Sequence, residues 1–95
     1  LDPRIELFYW KDVDHREVDF VVKEELKVSR LIQVCWDMRD EKVKNRELRS
    51  LQKAMKELKV KDAIIITDSM EGEEDIGGDM VKVVPLWKWL LTGER

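Results

Sequence analysis

The chain has 95 residues, 41% of them charged and 43% hydrophobic, with a formal net charge of −3 and one cysteine. That length holds one domain with one modest core, so residues 1–95 read as a single unit. A lone Cys excludes a disulfide framework or a Cys-rich zinc site and points to a cytoplasmic chain, and no apolar run approaches the ~18 residues of a membrane span. Amides are scarce: Asn45 is the only asparagine, and Gln33 and Gln52 the only glutamines. With abundant Lys, Arg and Glu, this is the composition of a thermophile protein. Because the chain starts at Leu1 instead of Met, it is expected to be a fragment of something longer.

Residues 5–10 (Ile-Glu-Leu-Phe-Tyr-Trp) are β-branched and aromatic and predict a strand. A polar turn over residues 12–15 leads into residues 17–22, which alternate at period two before running apolar, a second strand antiparallel to the first. Residues 31–36 predict a third strand, with Val28 as a possible backward extension. From Asp40 to Lys59 the period becomes helical, with Val43, Leu48, Leu51, Ala54, Met55 and Leu58 on the apolar side and Asp40 as N-cap. The continuous apolar run 63–67 predicts a strand covered on both faces. Residues 68–79 read as an acidic loop or weak hairpin with Gly72, Gly77 and Gly78, and residues 80–84 as the last strand. Pro85 suits the first turn of a short helix reaching Leu91. The expected order is β-β-β-α-β-β-α, an α/β domain with a mixed central sheet of about five strands. The helix between the third and fourth strands implies a parallel crossover.

Alternation along the second strand places Glu17 and Asp19 on one face and Val18, Phe20 and Val22 on the other. On the third strand Gln33 and Cys35 share a face opposite Ile32, Val34 and Trp36. If the two strands are neighbours, Glu17, Asp19 and Gln33 could offer oxygen ligands to magnesium or manganese, or the two acids could simply form a solvated strand face. Glu47 falls on the apolar arc of the helix with Lys44 near its edge. A carboxylate there needs an ion-pair partner or a place in a site. Cys35 reads as a small buried hydrophobe, and His15 as a turn residue. Charge is uneven. Residues 41–61 hold eight Lys or Arg against three Glu, a net of +5, whereas residues 62–79 hold seven acids and no base, a net of −7. The basic run, with Lys42, Arg46, Arg49 and Lys53, is either the wet side of a helix or a contact for nucleic-acid phosphate.

An acid on a strand after a hairpin (Asp19), a strand carrying Gln33-Val34-Cys35 and a following helix together resemble the core of the PD-(D/E)XK nuclease superfamily. The longer string is more specific: Tyr9-Trp10, residues 17–22 and 31–35, Glu47 with Leu51 and Ala54, residues 65–67 and Pro85-Leu86-Trp87. It resembles the C-terminal domain of a family of archaeal and bacterial P-loop ATPases. The resemblance implies a restriction-endonuclease-like fold, an ATPase domain upstream in the same chain, and a site built on Asp19, Gln33 and Cys35, with Glu47 and Lys44 as further candidates. It also implies a Mg- or Mn-binding set of Glu17, Asp19 and Gln33. The chain departs from the superfamily at two central positions. Gln33, without charge, stands where a second acid is usual, and Cys35 stands at the lysine position. Both departures weaken the electrostatics that metal-assisted cleavage relies on. The expected function is therefore an accessory, catalytically degenerate nuclease-fold domain that binds DNA or a protein partner. The alternatives are an active metal-dependent nuclease and a structural domain that forms a homo-oligomer through its tryptophan-rich terminus, in each case without a membrane partner.

Overall fold

The protein is described by a computed structural model covering residues 4–92. The helical period is realised as α1 (Glu41–Leu58), capped by the Asp40 side chain, which accepts the Lys42 N–H at 2.8 Å. It stops at Lys59, which adopts a left-handed conformation (φ 56) so that the Val60 N–H can reach the Met55 carbonyl. Leu48, Leu51, Ala54 and Met55 are buried along one side. Each large side chain of this stripe contributes roughly 1.5–3 kcal/mol by leaving water.

Six strands form one sheet: β1 (Ile5–Lys11), β2 (Glu17–Glu24), β3 (Lys27–Val34), β4 (Ala63–Thr67), β5 (Gly72–Ile76) and β6 (Asp79–Pro85), in the order β1-β2-β3-β4-β6-β5. β1, β2 and β3 pair antiparallel, as do β5 and β6. The pairs β3–β4 and β4–β6 are parallel, the first joined by the crossover through α1 and the second by a return through β5. Helix α1 covers one face, where Trp10, Val18, Val21, Leu31, Ala63, Ile65, Val81 and Val83 meet the helical stripe. On the other face α2 (Leu86–Thr92) shelters only Ile64, Ile66 and Val84. All five residues of β4 are buried, as its unbroken apolar run predicts.

The structure corrects several expectations. There are six strands where about five were expected, because the acidic stretch contains β5, a hairpin with β6. That hairpin turns at Gly77 (φ 64) and Gly78 (φ 96), and a Cβ on Gly77 would come within 2.8 Å of the Gln52 amide nitrogen. The positive φ at both positions is the conformation that favours glycine, and the Gln52 side chain would have to shift for any Cβ on Gly77. β3 begins at Lys27 and ends at Val34, so Cys35 and Trp36 lie beyond it. Pro85 closes β6, and the last helix starts at Leu86. Strict alternation also fails along β2. Phe8 pairs with Val21 but Trp10 pairs with Val18, so two β2 residues, Asp19 and Phe20, oppose the single Tyr9. This bulge turns Val18 and Val21 alike into the core and leaves Phe20 43% exposed, splitting it from Val18.

The left-handed C-cap is the simplest place to test the account of α1. Lys59→Gly removes a Cβ clash worth about 1 kcal/mol and should raise the thermal midpoint by about 4–8 °C in a melt followed by circular dichroism.

Candidate functional site

The β2–β3 ladder ends at the Phe20–Ile32 pair, and beyond it the strands part. β3 stays with β4, where the Cys35 N–H reaches the Ile66 carbonyl at 2.9 Å. The gap toward β2 is closed by side chains. Gln33, only 3% exposed, accepts the Asp19 N–H on Oε1 at 2.8 Å and donates from Nε2 to the Glu17 carbonyl at 2.9 Å. In return the Asp19 carboxylate accepts the Val34 N–H at 2.8 Å. The carboxamide thus stands in for a backbone ladder pair. It also reaches the helix, donating to Glu47 Oε2 at 2.6 Å. Glu47, with its side chain 17% exposed, finds there the partner that its place on the apolar side demands, and Arg46 lies 3.5 Å from its other oxygen.

Where β2 and β3 part under the first turns of α1, a cleft of about 580 Å³ opens. Glu17, Asp19, Gln33 and Glu47 line it together with Lys42, Arg46 and Arg49, so seven of the ten sequence-derived site residues converge. Lys42, Arg46 and Arg49 form its helical wall, one stripe at i, i+4 and i+7, and His15 and Arg16 of the β1–β2 turn close it. The other three candidates are not among the lining residues. Lys44 lies across the helix and pairs with Glu74 of β5 at 3.2 Å. Lys53 is drawn 3.7 Å from Asp12. Cys35 is buried, its thiol pushed up by that burial and by the nearby Glu47 carboxylate, so it is a protonated apolar filler with no cationic role.

Two features of the site escaped the sequence reading. Tyr9, opposite the bulge, has its phenol pushed up to about 12 by a hydrogen bond to the Glu17 carboxylate, with smaller contributions from burial and from the charges of Glu17 and Asp19. The second is Asp12. Its Oδ1 accepts the N–H groups of Asp14 at 2.9 Å and Arg16 at 2.8 Å, an Asx turn that fixes the loop while His15 takes a left-handed φ of 64. The Asp-x-Asp-x-Arg spacing at residues 12–16 was the available signal.

Of the charged groups in the cleft, each acid has a donor from the chain itself. Tyr9 serves Glu17, Val34 serves Asp19, Gln33 serves Glu47, and Arg16 serves Asp14 at 3.0 Å. Lys42 and Arg49, among the described residues, have no acid within ion-pair distance. Magnesium or manganese would need free oxygens of Glu17, Asp19 and Gln33 turned to one point. The Gln33 oxygen is instead spent on a backbone N–H, and its NH₂ faces Glu47. Among the described residues no group of three or more His, Cys, Asp or Glu could hold a metal ion. As arranged, this donor set does not fit such a metal.

The chain belongs to a known domain family. The domain of unknown function DUF4143 matches residues 2–89, and the chain is a member of that family. It is also 42% identical over 92 residues to the uncharacterized protein MJ1544 of Methanocaldococcus jannaschii, a match that takes in 90% of this chain. The matched stretch is 20% of the archaeal relative's length. No solved structure matches the chain significantly. Among the described residues no helix is long and apolar enough to cross a membrane.

Two measurements test the site's construction. Gln33→Met keeps the volume but strips three hydrogen bonds from a buried position, and should cost about 2–4 kcal/mol in chemical denaturation. Gln33→Glu places a second carboxyl against Glu47, and its deficit should shrink as pH falls and one of the pair protonates. Asp12 gives a separate pH signature. Burial opposes its charge, but the N–H groups of Arg16 and Asp14, the Arg16 guanidinium and Lys53 outweigh it and hold the carboxyl below its usual range. A depressed folded-state value means that its stabilisation is present above the ordinary carboxylate range and is lost as pH falls through the depressed value. Melting temperatures followed into acid should show this loss in the wild type and not in Asp12→Asn.

Proposed function

We propose that this chain is an accessory domain of a longer, P-loop ATPase-type protein, and that its cleft binds a nucleic-acid phosphate backbone without cutting it. The observation that carries the reading is the division of charge around α1. On one flank the acidic hairpin answers the helix and the segment after it, with Lys44 on Glu74 at 3.2 Å and Lys61, beyond α1, on Asp79 at 3.7 Å. On the other flank Lys42, Arg46 and Arg49 line the cleft and are exposed, and their nearest carboxylates are already served by chain donors. Cations spaced along a helix above a groove suit phosphates, whose binding releases condensed counterions.

Absence of cleavage is supported by the chemistry of the donor set. A neutral Gln33 locked into the sheet and a protonated Cys35 away from the cleft wall leave no strong ligand and no cation at the two positions where the nuclease superfamily uses them. The ATPase context rests on the resemblance described above and on the size of the archaeal relative, which leaves four fifths of its length for other domains.

Fluorescence anisotropy with labelled DNA, single- and double-stranded, over about 50–300 mM salt tests the proposal. The expected log–log slope is about −2 to −3, reduced by about 1 in Lys42→Ala and again in Arg49→Ala, whereas Lys56→Ala leaves it unchanged. Failure to bind, or binding indifferent to both cleft variants, would refute the interface. Cleavage in magnesium or manganese that disappears in Asp19→Ala would refute the degenerate reading and establish an active nuclease.

A further inference from the structure

The cleft under α1 is divided in sign. Its helical wall carries Lys42, Arg46 and Arg49 beside one acid, Glu47, which is held by Arg46 and by the Gln33 amide. Its strand wall, built from the β1–β2 turn and the start of β2, carries Asp14, Glu17 and Asp19. Arg16 on that side is spent on Asp12 at 3.5 Å and Asp14 at 3.0 Å, and His15 is formally neutral at pH 7. The strand wall is therefore left with the charges of Glu17 and Asp19, and the helical wall with a positive excess. Asp19 is the fixed member of the acidic pair. Its Oδ2 accepts the Val34 N–H at 2.8 Å while its own N–H is held by Gln33, and among the described residues no donor meets its Oδ1. A carboxylate has about four acceptor sites, so a clamped acid with one site filled remains a strong acceptor at a set place.

We infer that the cleft takes a single strand of nucleic acid in place of a duplex, and that Asp19 reads an unpaired guanine there. The inference rests on the phosphate-binding reading above and adds the form and the base of the ligand. A duplex presents phosphates on both rims of either groove. Seating one strand on Lys42, Arg46 and Arg49 therefore brings the anionic second strand toward Glu17 and Asp19. A single strand has phosphates along one edge and free base edges along the other. With its backbone on the helical wall, its bases turn toward carboxylates, which accept hydrogen bonds and donate none. Of the four bases, guanine alone sets two N–H donors, N1–H and the 2-amino group, side by side on its Watson–Crick edge, matching the two oxygens of a carboxylate. Adenine and cytosine set a ring acceptor beside their amino group, and thymine flanks its one N–H with two carbonyls, so each turns a lone pair toward the acid. Pairing in a duplex uses up the guanine donors, and the base preference and the exclusion of duplex thus have one origin. The cleft volume of about 580 Å³ lies in the range of sites that hold a single small ligand, as one nucleotide is.

Fluorescence anisotropy at about 100 mM salt tests this with three labelled strands of about twelve nucleotides. One is oligo-dT, the second the same strand with a single central dG, and the third carries dI, which lacks the 2-amino group, in place of dG. The dG strand should bind about 10-fold tighter than oligo-dT and about 3-fold tighter than the dI strand, and annealing it to its complement should cost about 10-fold. These arms use the wild-type chain and need no substitution. Asp19→Asn keeps an acceptor for the Val34 N–H but turns an NH₂ toward the cleft, and should erase the dG preference. Lys42→Ala should weaken all three strands alike and keep that preference. A dG strand bound no better than oligo-dT or the dI strand would overturn the inference while leaving the phosphate interface standing. So would a duplex bound as tightly as the single strand, or a dG preference that persists in Asp19→Asn with an unchanged melting curve. No binding of any strand, or binding indifferent to Lys42→Ala, would remove both readings.

Discussion

One buried carboxamide organises this protein. At the point where β2 and β3 separate, backbone groups on both strands would be left without partners, a costly condition inside a fold. Gln33 resolves it by presenting an acceptor to Asp19, a donor to Glu17 and a second donor hydrogen to Glu47. An amide is the one ordinary side chain of that length with both functions at its tip. A glutamate would supply acceptors only, and would set a second negative charge against Glu47. The strands can part without orphaned backbone groups, and Glu47 can enter a mostly apolar helix side, because this residue bonds to both. Its neutrality is therefore a structural requirement of the arrangement.

Charge is the second organising constraint. A net of −3 over the chain describes neither half of it. The acidic hairpin β5–β6 lies beside one flank of α1 and takes up Lys44, which ties the far edge of the sheet to the helix, and Lys61 just beyond it. The flank facing the cleft is left with cations at helical spacing. The two faces of the sheet thus acquire different chemistries: a charged cleft under α1, and a mostly apolar groove beside α2. A single surface could not serve phosphate and an apolar partner equally, because desolvating free cations against an apolar surface is expensive.

Much of the fold was legible because it depends on local periodicity. The helical stripe with its Asp40 cap, the wholly apolar β4 and the parallel pairing implied by the crossover each follow from patterns within about twenty residues. What was not legible arises where strand pairing overrides alternation. The bulge at Asp19 and Phe20 is a property of how β2 meets β1, and β2 by itself shows only a period of two. β5 was hard to see because Gly72-Glu73-Glu74-Asp75 has poor strand propensity, and it is held by pairing with β6 and by Lys44. Of the site, the convergence of Glu17, Asp19, Gln33 and Glu47 could be anticipated from alternation and helix phase. The roles of Tyr9, Asp12 and His15 depended on turn geometry and on a neighbouring strand.

By itself the sequence determined the class of fold, the limits of most elements and the uneven charge, because these are written in composition and short-range period. Only the tertiary structure decided that Gln33 is a sheet clamp, and that Lys44 and Lys53 turn away while Lys42, Arg46 and Arg49 face a cleft. Those outcomes depend on which strands are neighbours and on the ends of their ladders. A chain read one residue after another carries no record of that until distant segments meet and compete for the same hydrogen bonds and the same apolar surface.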